Sequence, residues 1–545
     1  MTDLTWGEYR PFSFPRSPAV LALAWALASA AGTSSAADAG VAPAAALPIF
    51  NVYQYVVDGN SVLGALEIET AVAPFLGEGK TLREVEAARA ALEKRYHDAG
   101  YLTVAVSIPD QAVDAGEVAL HVVEAVVERL KVKGAEYTLP SAIKSGVPEL
   151  TEGQVPNFNK IQDQLAALNR GVDSRVTPVL RAGKLPGTVE VQLDVDDQLP
   201  LHGSVEINNR QTPNTTPTRL SASLRYDNLW QLGHSLGLTL QVAPARPSDA
   251  QVVGLTYVLP TGHAKDVLSA YWVHSHSEFA SLASAPGLGL LGKSDTLGVR
   301  YSAPLGNSAE VIQTLAGGLD YKNVQQTVSV QTGSSTDSPI VYVPLVATYS
   351  ATLLGEQRSS TLDLNLTMGL RGLLGNVDVK FSSKRPGASA NYLALRAGFA
   401  HSETVERWTL FGKIDSQLAT GPLVPTEQMV TGGAESVRGY LEGERAGDIG
   451  LRATIELRTP QYSPAGNTSA WRLGALVFFD AARVKTLQAL APQSGLHGLR
   501  GTGAGLRLSA PRGLALEADA ARALVDGDTT RAQSTRVHAR AIWSY

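Results

Sequence analysis

The 545-residue sequence contains no cysteine, which excludes a disulfide framework, thiol catalysis and zinc–thiolate sites. Aromatic residues make up only 6% of the chain and charged residues 18%, with a formal net charge of -5. A mildly negative chain gives no reason to expect nucleic acid as a partner. Glycine and proline, in contrast, number 51 and 29, which is enough to punctuate many short strands.

The sequence also has no long apolar run; its one notable apolar run, near the N-terminus, is short. Arg10 and Arg16 precede an apolar stretch over residues 19–31, and small residues at 34–37 offer a cleavage site. This pattern predicts a signal peptide over residues 1–37 and a short linker over 38–49; a disordered Ala-rich leader is the alternative. An apolar run of about 13 residues is too short to span a bilayer comfortably, so we expect no transmembrane helix. Any membrane location then requires a closed β-barrel.

Residues 50–198 show one supersecondary order twice, at a spacing of about 75 residues. In residues 50–125 the order is strand, helix, helix, strand, strand. Ser61 is expected to cap the first helix, Thr81 and Glu84 form a capping box for the second, and Gly100 ends it. Residues 126–198 repeat the order. The sequence therefore predicts two small α+β domains.

From residue 199 onwards the pattern changes to about 16 alternating segments, each near the 9–11 residues that a tilted strand needs to cross a membrane. Over residues 451–458, Leu, Ala, Ile and Leu alternate with Arg, Thr, Glu and Arg. We predict a mainly β fold in which residues 199–545 form a 16-stranded antiparallel transmembrane barrel without an amphipathic helix. A soluble β-sandwich shows the same alternation.

The connections favour the barrel over the sandwich. Short turns alternate with long loops, and the longest loop lies at about residues 418–446, as in outer-membrane barrels. The last strand alternates as well, with Trp543 and Tyr545 on its apolar side. An aromatic end of this kind is typical of a signal for barrel assembly.

Several motifs follow one another in a recognisable order. They are Asn208-Asn209; Tyr226-Asp227-Asn228-Leu229-Trp230 with Gly233-His234-Ser235-Leu236; Gly432-Gly433 with Val437-Arg438-Gly439-Tyr440 and Gly447-Asp448; and Phe478-Phe479-Asp480. In this order and spacing the chain resembles the TpsB-type outer-membrane transporters of two-partner secretion, the ShlB/FhaC/HecB group of haemolysin and adhesin exporters. The resemblance covers the whole mature chain and implies that the two repeats are POTRA domains.

The resemblance also implies a mechanism. The longest loop is expected to fold into the barrel lumen, where Arg438 meets Asp480 on the wall, and strand alternation turns Phe478 inward with Asp480. The implied function is export of an unfolded partner, a large β-helical adhesin or haemolysin that the POTRA domains recognise in the periplasm. Outer-membrane lipid and the barrel-assembly machinery are further implied partners. Only about a dozen residues lie between the predicted signal peptide and the first repeat, so a lumenal plug helix is not expected.

Other functions were weighed against this one. Residues 287–294 match a P-loop and residues 233–237 a nucleophile elbow, but neither has the strand-then-helix context that its chemistry needs. His274 and His276 lack the spacing of metal ligands. We therefore expect no nucleotide, metal, cofactor or catalytic residue. The rival functions are a barrel-assembly factor of the same superfamily, a porin, and a secreted adhesin.

Overall fold

The computed structural model describes residues 49–113, 115–169, 171–261, 266–281, 289–306, 308–325, 327–329, 335–337, 339–463, 470–489 and 495–545. The expected signal peptide, and the linker up to residue 48 where a plug helix is not expected, lie outside these residues. The described chain divides into two compact units, and the division in the sequence falls between Pro200 and Leu201. No helix of the described residues is both long enough and apolar enough to cross a lipid bilayer.

The N-terminal unit contains two modules with one sheet topology. Each module has a three-stranded sheet with its last strand in the centre. Residues 117–124 pair in parallel with 54–58 and antiparallel with 104–107, and residues 188–197 pair in parallel with 126–133 and antiparallel with 174–182. In the first module residues 50–52 and 77–80 form a separate two-stranded sheet. The predicted repeat of two α+β modules is confirmed. The first module consists of β1 (Phe50–Val52), β2 (Gln54–Asp58), α1 (Ala65–Val72), β3 (Gly77–Lys80), α2 (Leu82–Asp98), β4 (Val104–Ser107) and β5 (Glu117–Glu124), and the second of β6 (Val126–Lys133), α3 (Pro140–Ser145), α4 (Phe158–Leu168), β7 (Ser174–Ala182) and β8 (Thr188–Asp197).

Helix α2 begins and ends where the sequence predicts. Thr81 caps it by accepting a hydrogen bond from a backbone N–H of the first turn, and the Glu84 carboxylate accepts the Thr81 N–H at 2.8 Å. Gly100 follows the helix with φ +97°, a left-handed conformation that favours glycine. The expected cap at Ser61 is wrong, because helix α1 begins after Gly64.

Ser61 instead belongs to a feature that both modules share. Its backbone N–H donates to Glu124 at 2.8 Å, so a carboxylate at the end of the central strand β5 holds the loop that follows β2. In the second module Asp197, at the end of β8, accepts backbone N–H groups from residues 136–138 at 2.7–3.0 Å. The repeat therefore extends to one carboxylate per module that organises the loop after the first strand.

The C-terminal unit is a closed antiparallel barrel of sixteen strands, as predicted. Numbered onwards from β8, its strands are β9 (Leu201–Asn208), β10 (Arg219–Leu229), β11 (His234–Val242), β12 (Ala250–Pro260), β13 (Val267–Ser281), β14 (Gly289–Pro304), β15 (Val311–Gln325), β19 (Leu345–Leu354), β20 (Arg358–Gly369), β21 (Tyr392–Val405), β22 (Trp408–Ala419), β25 (Ile449–Arg458), β26 (Arg472–Lys485), β27 (Leu496–Ala510), β28 (Leu514–Ala523) and β29 (Thr535–Ser544), while the short strands β16 (Thr327–Ser329), β17 (Ser335–Asp337), β18 (Ile340–Tyr342), β23 (Met429–Thr431) and β24 (Arg445–Gly447) lie between them.

Side chains alternate across the barrel wall as the sequence predicts. On β25 the outward residues Leu451 and Ile455 are more than half exposed, whereas the inward Glu456 is 6% exposed. The ring closes where β9 pairs with β29, with Ser204 opposite Ser544. A single closed sheet with apolar residues outside and polar residues inside excludes the β-sandwich alternative.

The long connections over residues 370–391 and 420–448 follow the ninth and eleventh strands, so they lie at the end of the barrel opposite the termini, as do residues 339–344 of the connection after the seventh strand. One of them contains a short helix that the sequence did not indicate, α5 (Asp378–Lys384). Its Phe381 packs against Tyr342 and Tyr392. A helix of seven residues is too short to show helical periodicity in the sequence.

The P-loop-like stretch falls only partly within the described residues. Residues 287 and 288 lie outside them, and residues 289–294 form the start of β14. A strand therefore stands where a P-loop requires the start of a helix.

Candidate functional site in the barrel lumen

Residues 420–448 connect β22 to β25 and fold back against the inner face of the barrel. We call this segment the lumenal loop. Its Val437 and Tyr440 are fully buried in a cluster with Ala482, Leu499 and Ala523 of the wall. The two limbs of the loop are joined by the β23–β24 ladder, in which residue 430 pairs with residue 446.

The tip of the lumenal loop is bound to the wall through Arg438. Its Nε lies 2.7 Å from Oδ2 of Asp480 on β26 and its Nη2 2.9 Å from Oδ1, a bidentate pair. Nη1 lies 2.8 Å from Glu456 on β25 and 3.6 Å from Asp519 on β28. Arg438 is 4% exposed and Asp480 is fully buried, so the loss of Arg438 leaves a buried carboxylate without its cation, which costs about 3–5 kcal/mol.

Electrostatics keeps the Arg438 guanidinium charged. Burial acts to lower its pKa, but the hydrogen bond to Asp480 and the charges of Asp480, Glu456 and Asp519 raise the pKa above its ordinary value. The Phe478 ring adds a cation–π contact, with the guanidinium carbon 3.4 Å from the ring centre. The tip is therefore held by an ion pair and an aromatic face together.

Two glycines of β27 make room for these groups. A Cβ on Gly501 would lie 2.0 Å from the Arg438 carbonyl oxygen, and a Cβ on Gly503 would lie 2.7 Å from the Phe478 ring. Any larger residue would push the tip away from the wall.

Gly439 and Tyr440 complete the tip. Gly439 has φ +98°, and a Cβ there would lie 2.9 Å from the backbone nitrogen of Ala523, so both conformation and space require glycine. Its N–H donates to Nε2 of His538 at 3.0 Å. The Tyr440 hydroxyl lies 2.8 Å from the carbonyl oxygen of Val525, which fixes the chain on the far side of the turn.

The base of the lumenal loop is organised by Asp448, which is fully buried. Nη2 of Arg385 donates to it at 2.7 Å. Backbone N–H groups of Leu423 and Leu487 donate at 3.0 and 2.7 Å. Burial acts to raise the pKa of Asp448, but the Arg385 hydrogen bond and the other donors lower it below the usual range. The loop thus leaves and rejoins the wall at one anionic point.

A third anchor lies between base and tip. Glu427, 1% exposed, accepts hydrogen bonds from Lys322 Nζ at 2.6 Å and from the Tyr342 hydroxyl at 2.8 Å. Its backbone carbonyl accepts the side chains of Arg396 and Gln417 at 2.9 and 3.1 Å. All these partners belong to β15, β18, β21 and β22, on another part of the ring from the partners of Arg438.

The structure brings together the residues that the sequence singled out in the loop and on the wall: Val437, Arg438, Gly439 and Tyr440 lie against the strand that carries Phe478 and Asp480. Sequence analysis missed the other anchors. Each one on a strand is a polar residue on an inward position of an alternating segment, and the glycines of β27 recur at every second position, which are usable signals. The missed residues are Lys322, Arg385, Glu427, Gly501, Gly503, Asp519 and His538, whereas Glu456 was predicted to face inward but not to bind the loop.

The aromatic end of the chain lies on the outer surface where the barrel closes. Trp543 and Tyr545 are 46% and 70% exposed. The Tyr545 N–H donates to the carbonyl of Gly203 at 2.8 Å. Asn209, part of the early-barrel motif, donates from its amide to the carbonyl of Val537 at 2.7 Å. Residues at both ends of the barrel sequence therefore form hydrogen bonds that stabilise the pairing of β9 with β29.

A polar cavity of about 160 Å³ remains beside the loop tip. Its lining carries charges of both signs, including Lys413, Glu435, Arg458, Arg507, Glu517 and Arg540. Such a surface suits an extended polar chain better than an apolar ligand, because it offers alternating donors and acceptors.

Comparison with known families decides the relationship. Residues 187–508 match the family model described as haemolysin secretion/activation protein ShlB/FhaC/HecB, which is more than half of the chain. The chain belongs to this family. Residues 50–125 also match the POTRA domain, ShlB-type.

Individual relatives of this ShlB/FhaC/HecB family member agree with the family match. The outer membrane transporter CdiB of Dickeya dadantii (strain 3937) is 24% identical over 447 residues, covering 80% of this chain and 75% of that protein. The solved structure of CdiB from Escherichia coli has a TM-score of 0.59 at 20% identity, over 94% of this chain and 93% of the other. BamA from Haemophilus ducreyi lacking POTRA domains 1-3 has a TM-score of 0.54 at 14% identity, over 91% and 100%. The two structural likenesses show a shared fold.

The chain is therefore an outer-membrane transporter of two-partner secretion, with a secreted exoprotein as its partner. This confirms the family, the membrane and the class of function that the sequence motifs indicate. The ShlB/FhaC/HecB family is a family of transport and secretion proteins.

Proposed function

We propose that this transporter carries a large unfolded exoprotein of the β-helical adhesin or haemolysin type through its lumen, after the lumenal loop leaves the wall. The observation that carries the proposal is the attachment of Arg438 to carboxylates on β25, β26 and β28. Such a loop occupies the path of a translocating chain and must be displaced before transport. Folding of the exoprotein outside the cell supplies the direction, so no nucleotide is required.

The remaining parts of the chain have matching roles in this proposal. Residues 1–37 direct export to the periplasm, 38–49 form a linker, and 50–125 and 126–198 are two POTRA domains before a barrel over 199–545. The barrel-assembly machinery recognises the C-terminal Trp543 and Tyr545, and outer-membrane lipid contacts the apolar outer face. The periplasmic domains capture the exoprotein before it enters the barrel.

Strand addition to an open sheet edge is the proposed mode of capture. The edge strands of the two sheets are β2 and β4 in the first module and β6 and β7 in the second. β7 contains Pro178, which lacks an N–H, and β4 has only four residues. On β6 the backbone N–H groups of Val127 and Leu130 already donate to residues 154 and 152 of the same module, at 2.9 and 3.1 Å. We therefore assign capture to β2, whose Val56 is 42% exposed. A photo-crosslinking residue at Val56 is expected to capture the exoprotein, whereas one at the exposed Leu66 of α1 is not; equal crosslinking at both positions contradicts this assignment.

The loop anchor is tested with Arg438→Ala and Asp480→Ala. Both variants are expected to insert as folded barrels but to release less exoprotein into the medium, because a loop tip without its buried ion pair has no fixed position on the wall and obstructs the lumen in disordered positions. Arg452→Ala is the matched control, because Arg452 also lies on the inner wall and pairs with Asp415 at 2.8 Å instead of with the loop.

The same variants separate export from the assembly of other barrels. Normal exoprotein release by both Arg438→Ala and Asp480→Ala contradicts the role of this anchor. Normal release combined with a loss of other outer-membrane barrels supports the assembly-factor alternative instead.

A further inference from the structure

Four cations lie on the outer face of three neighbouring strands, at the end of the barrel opposite the termini. They are Arg483 and Lys485 on β26, Arg500 on β27 and Arg522 on β28, and all four are exposed. Their orientation follows from their neighbours in sequence, because Ala482, Val484, Leu499, Ala521 and Ala523 are buried on the inner face. We call these four residues the outer cationic patch.

The strand register places the four cations next to one another. Thr502 pairs with Arg522 and Gly498 with Arg483, so Arg500 is the diagonal neighbour of both arginines, at about 7–8 Å. Lys485 follows Arg483 on the same face of β26, about 7 Å further along the strand. The patch is continuous across three strands.

No residue of the patch makes an ion pair within the part of the chain that the structure describes. Inward arginines of the same region behave differently, since Arg438 and Arg507 both bind carboxylates. Adjacent like charges destabilise a sheet, and a cation on the lipid-facing side of a barrel has a cost that falls only near the interface. An anion from outside the protein removes both penalties.

The surface beside the patch is apolar and concave. A groove of about 600 Å³ has Arg522 on its rim and is lined by Ile455, Leu457, Val477, Phe479 and Thr502 among others. Outward residues near this end of several other strands are neutral, for example Ile207, Leu220, Tyr321, Leu418 and Leu451, whereas β14 carries the cation Lys293 there next to an anion, Asp295. Cations beside an apolar groove match a molecule that is anionic at one end and aliphatic at the other.

We propose that the outer cationic patch binds a phosphorylated glycolipid of the outer leaflet, with its phosphates on the arginines and an acyl chain in the groove. The POTRA domains precede β9 on the periplasmic side, so the opposite end of the barrel faces the outer leaflet. Arginine binds phosphate bidentately, which makes it well suited to this headgroup. The inner faces of the same strands carry Asp480 and Asp519, which bind the lumenal loop. The lipid therefore stabilises, from the outer face, the part of the wall to which the loop is anchored.

The test uses the purified full-length transporter in detergent, titrated with bis-phosphorylated lipid A while the midpoint of thermal unfolding is followed. Wild type is expected to be stabilised in a saturable way. The triple variant Arg483→Gln, Arg500→Gln, Arg522→Gln is expected to need roughly 100-fold more lipid, since each basic residue near an anionic surface contributes about fivefold. The control triple Arg358→Gln, Arg407→Gln, Arg512→Gln removes the same charge from two turns and the start of a strand at the periplasmic end, and it is expected to bind like wild type.

Two further titrations identify the ligand. Lipid A without phosphates, and inorganic phosphate alone, are each expected to give little stabilisation, because each supplies half of the recognised molecule. Equal stabilisation by either one overturns the proposal, as does wild-type affinity of the patch triple. Should that triple not fold, the single variant Arg500→Gln is expected to lose about fivefold in affinity, and unchanged affinity overturns the proposal equally. The charge-preserving triple Arg→Lys at the same positions is expected to bind more weakly than wild type but more tightly than the Gln triple, because lysine keeps the charge without the bidentate geometry.

Discussion

The ammonium group of Lys322 lies 2.6 Å from Oε1 of Glu427, and both side chains are more than nine-tenths buried. Lys322 is on the seventh barrel strand, whereas Asp480, the partner of the loop tip, is on the thirteenth. The lumenal loop is therefore attached to two well-separated parts of the ring. Burial acts to raise the pKa of Glu427, but Lys322 and Arg396 lower it below the usual range, so the carboxylate remains charged.

Glu427→Gln is predicted to loosen the lumenal loop. It leaves Lys322 buried without an anion, at a cost of about 3–5 kcal/mol, whereas the double variant Glu427→Gln with Lys322→Met removes both charges and is expected to be much closer to wild type. The measurements are the midpoint of thermal unfolding and the conductance of single barrels in a planar bilayer, which rises as the loop leaves the lumen. A single variant that equals wild type in both contradicts this role.

Gly439→Ala is predicted to displace the loop tip without preventing barrel insertion. An alanine at φ +98° is strained and its Cβ would meet the Ala523 backbone at 2.9 Å; the strain alone costs about 1–2 kcal/mol. The control is Gly372→Ala, at φ +85° in another loop with no neighbour within 4 Å of the added Cβ. Exoprotein release is expected to fall for Gly439→Ala only. Equal loss in both variants attributes the effect to backbone strain in general.

The general architecture could be read from the sequence because it depends on short-range patterns. Alternation over 451–458 predicts the inward Glu456, and a capping box predicts the start of α2. The pairs that fix the lumenal loop are different in kind. Lys322 and Glu427 are 105 residues apart in the sequence. Local patterns predict that a polar residue faces inward, but they do not predict which inward polar residues form a pair.

Local signals were also misleading where a tertiary partner competes for the same residue. Ser61 is a good helix cap by residue type, but its N–H donates to Glu124 of the central strand, 63 residues away. The equivalent role of Asp197 in the second module could have been inferred only after the first was known. The sequence repeat thus predicts the topology but not which polar groups repeat with it.

Asp197 is predicted to stabilise the loop over residues 136–138 in a pH-dependent way. Burial acts to raise the pKa of Asp197, but three backbone N–H donors lower it. A carboxylate with a lowered pKa stabilises the folded state above the unfolded pKa of about 3.9, and this contribution is lost as the pH falls through the folded pKa. Hydrogen-exchange protection of these amides is expected to be high at neutral pH and to fall in strong acid.

Asp197→Asn is expected to reduce that protection at neutral pH, because the amide side chain keeps only one acceptor oxygen. Asp196→Asn is the control, since the neighbouring Asp196 is exposed and is not among the acceptors of these N–H groups. Unchanged protection in Asp197→Asn, or an equal loss in both variants, contradicts the assigned role.

The absence of cysteine allows the motion of the lumenal loop to be tested with introduced disulfides. Val430 and Ala446 are paired across the β23–β24 ladder, at a Cα distance of about 4.5–5.5 Å that suits a disulfide. Because this ladder joins the two limbs, we predict that the loop moves as one unit. The pair Val430→Cys with Ala446→Cys is therefore expected to secrete normally when oxidised.

A disulfide between the lumenal loop and its surroundings is predicted to have the opposite effect. A Cβ on Gly527 would lie 2.8 Å from the Cγ of Glu444, a separation that a disulfide spans after small adjustment. The pair Glu444→Cys with Gly527→Cys joins the loop to the connection between β28 and β29, so oxidation is expected to block exoprotein release and reduction to restore it. Each variant serves as its own control, because the reduced state carries the same substitutions. If the first disulfide blocks release and the second does not, the loop opens by separating its limbs, and the three anchors at Asp448, Glu427 and Arg438 must then release one after another.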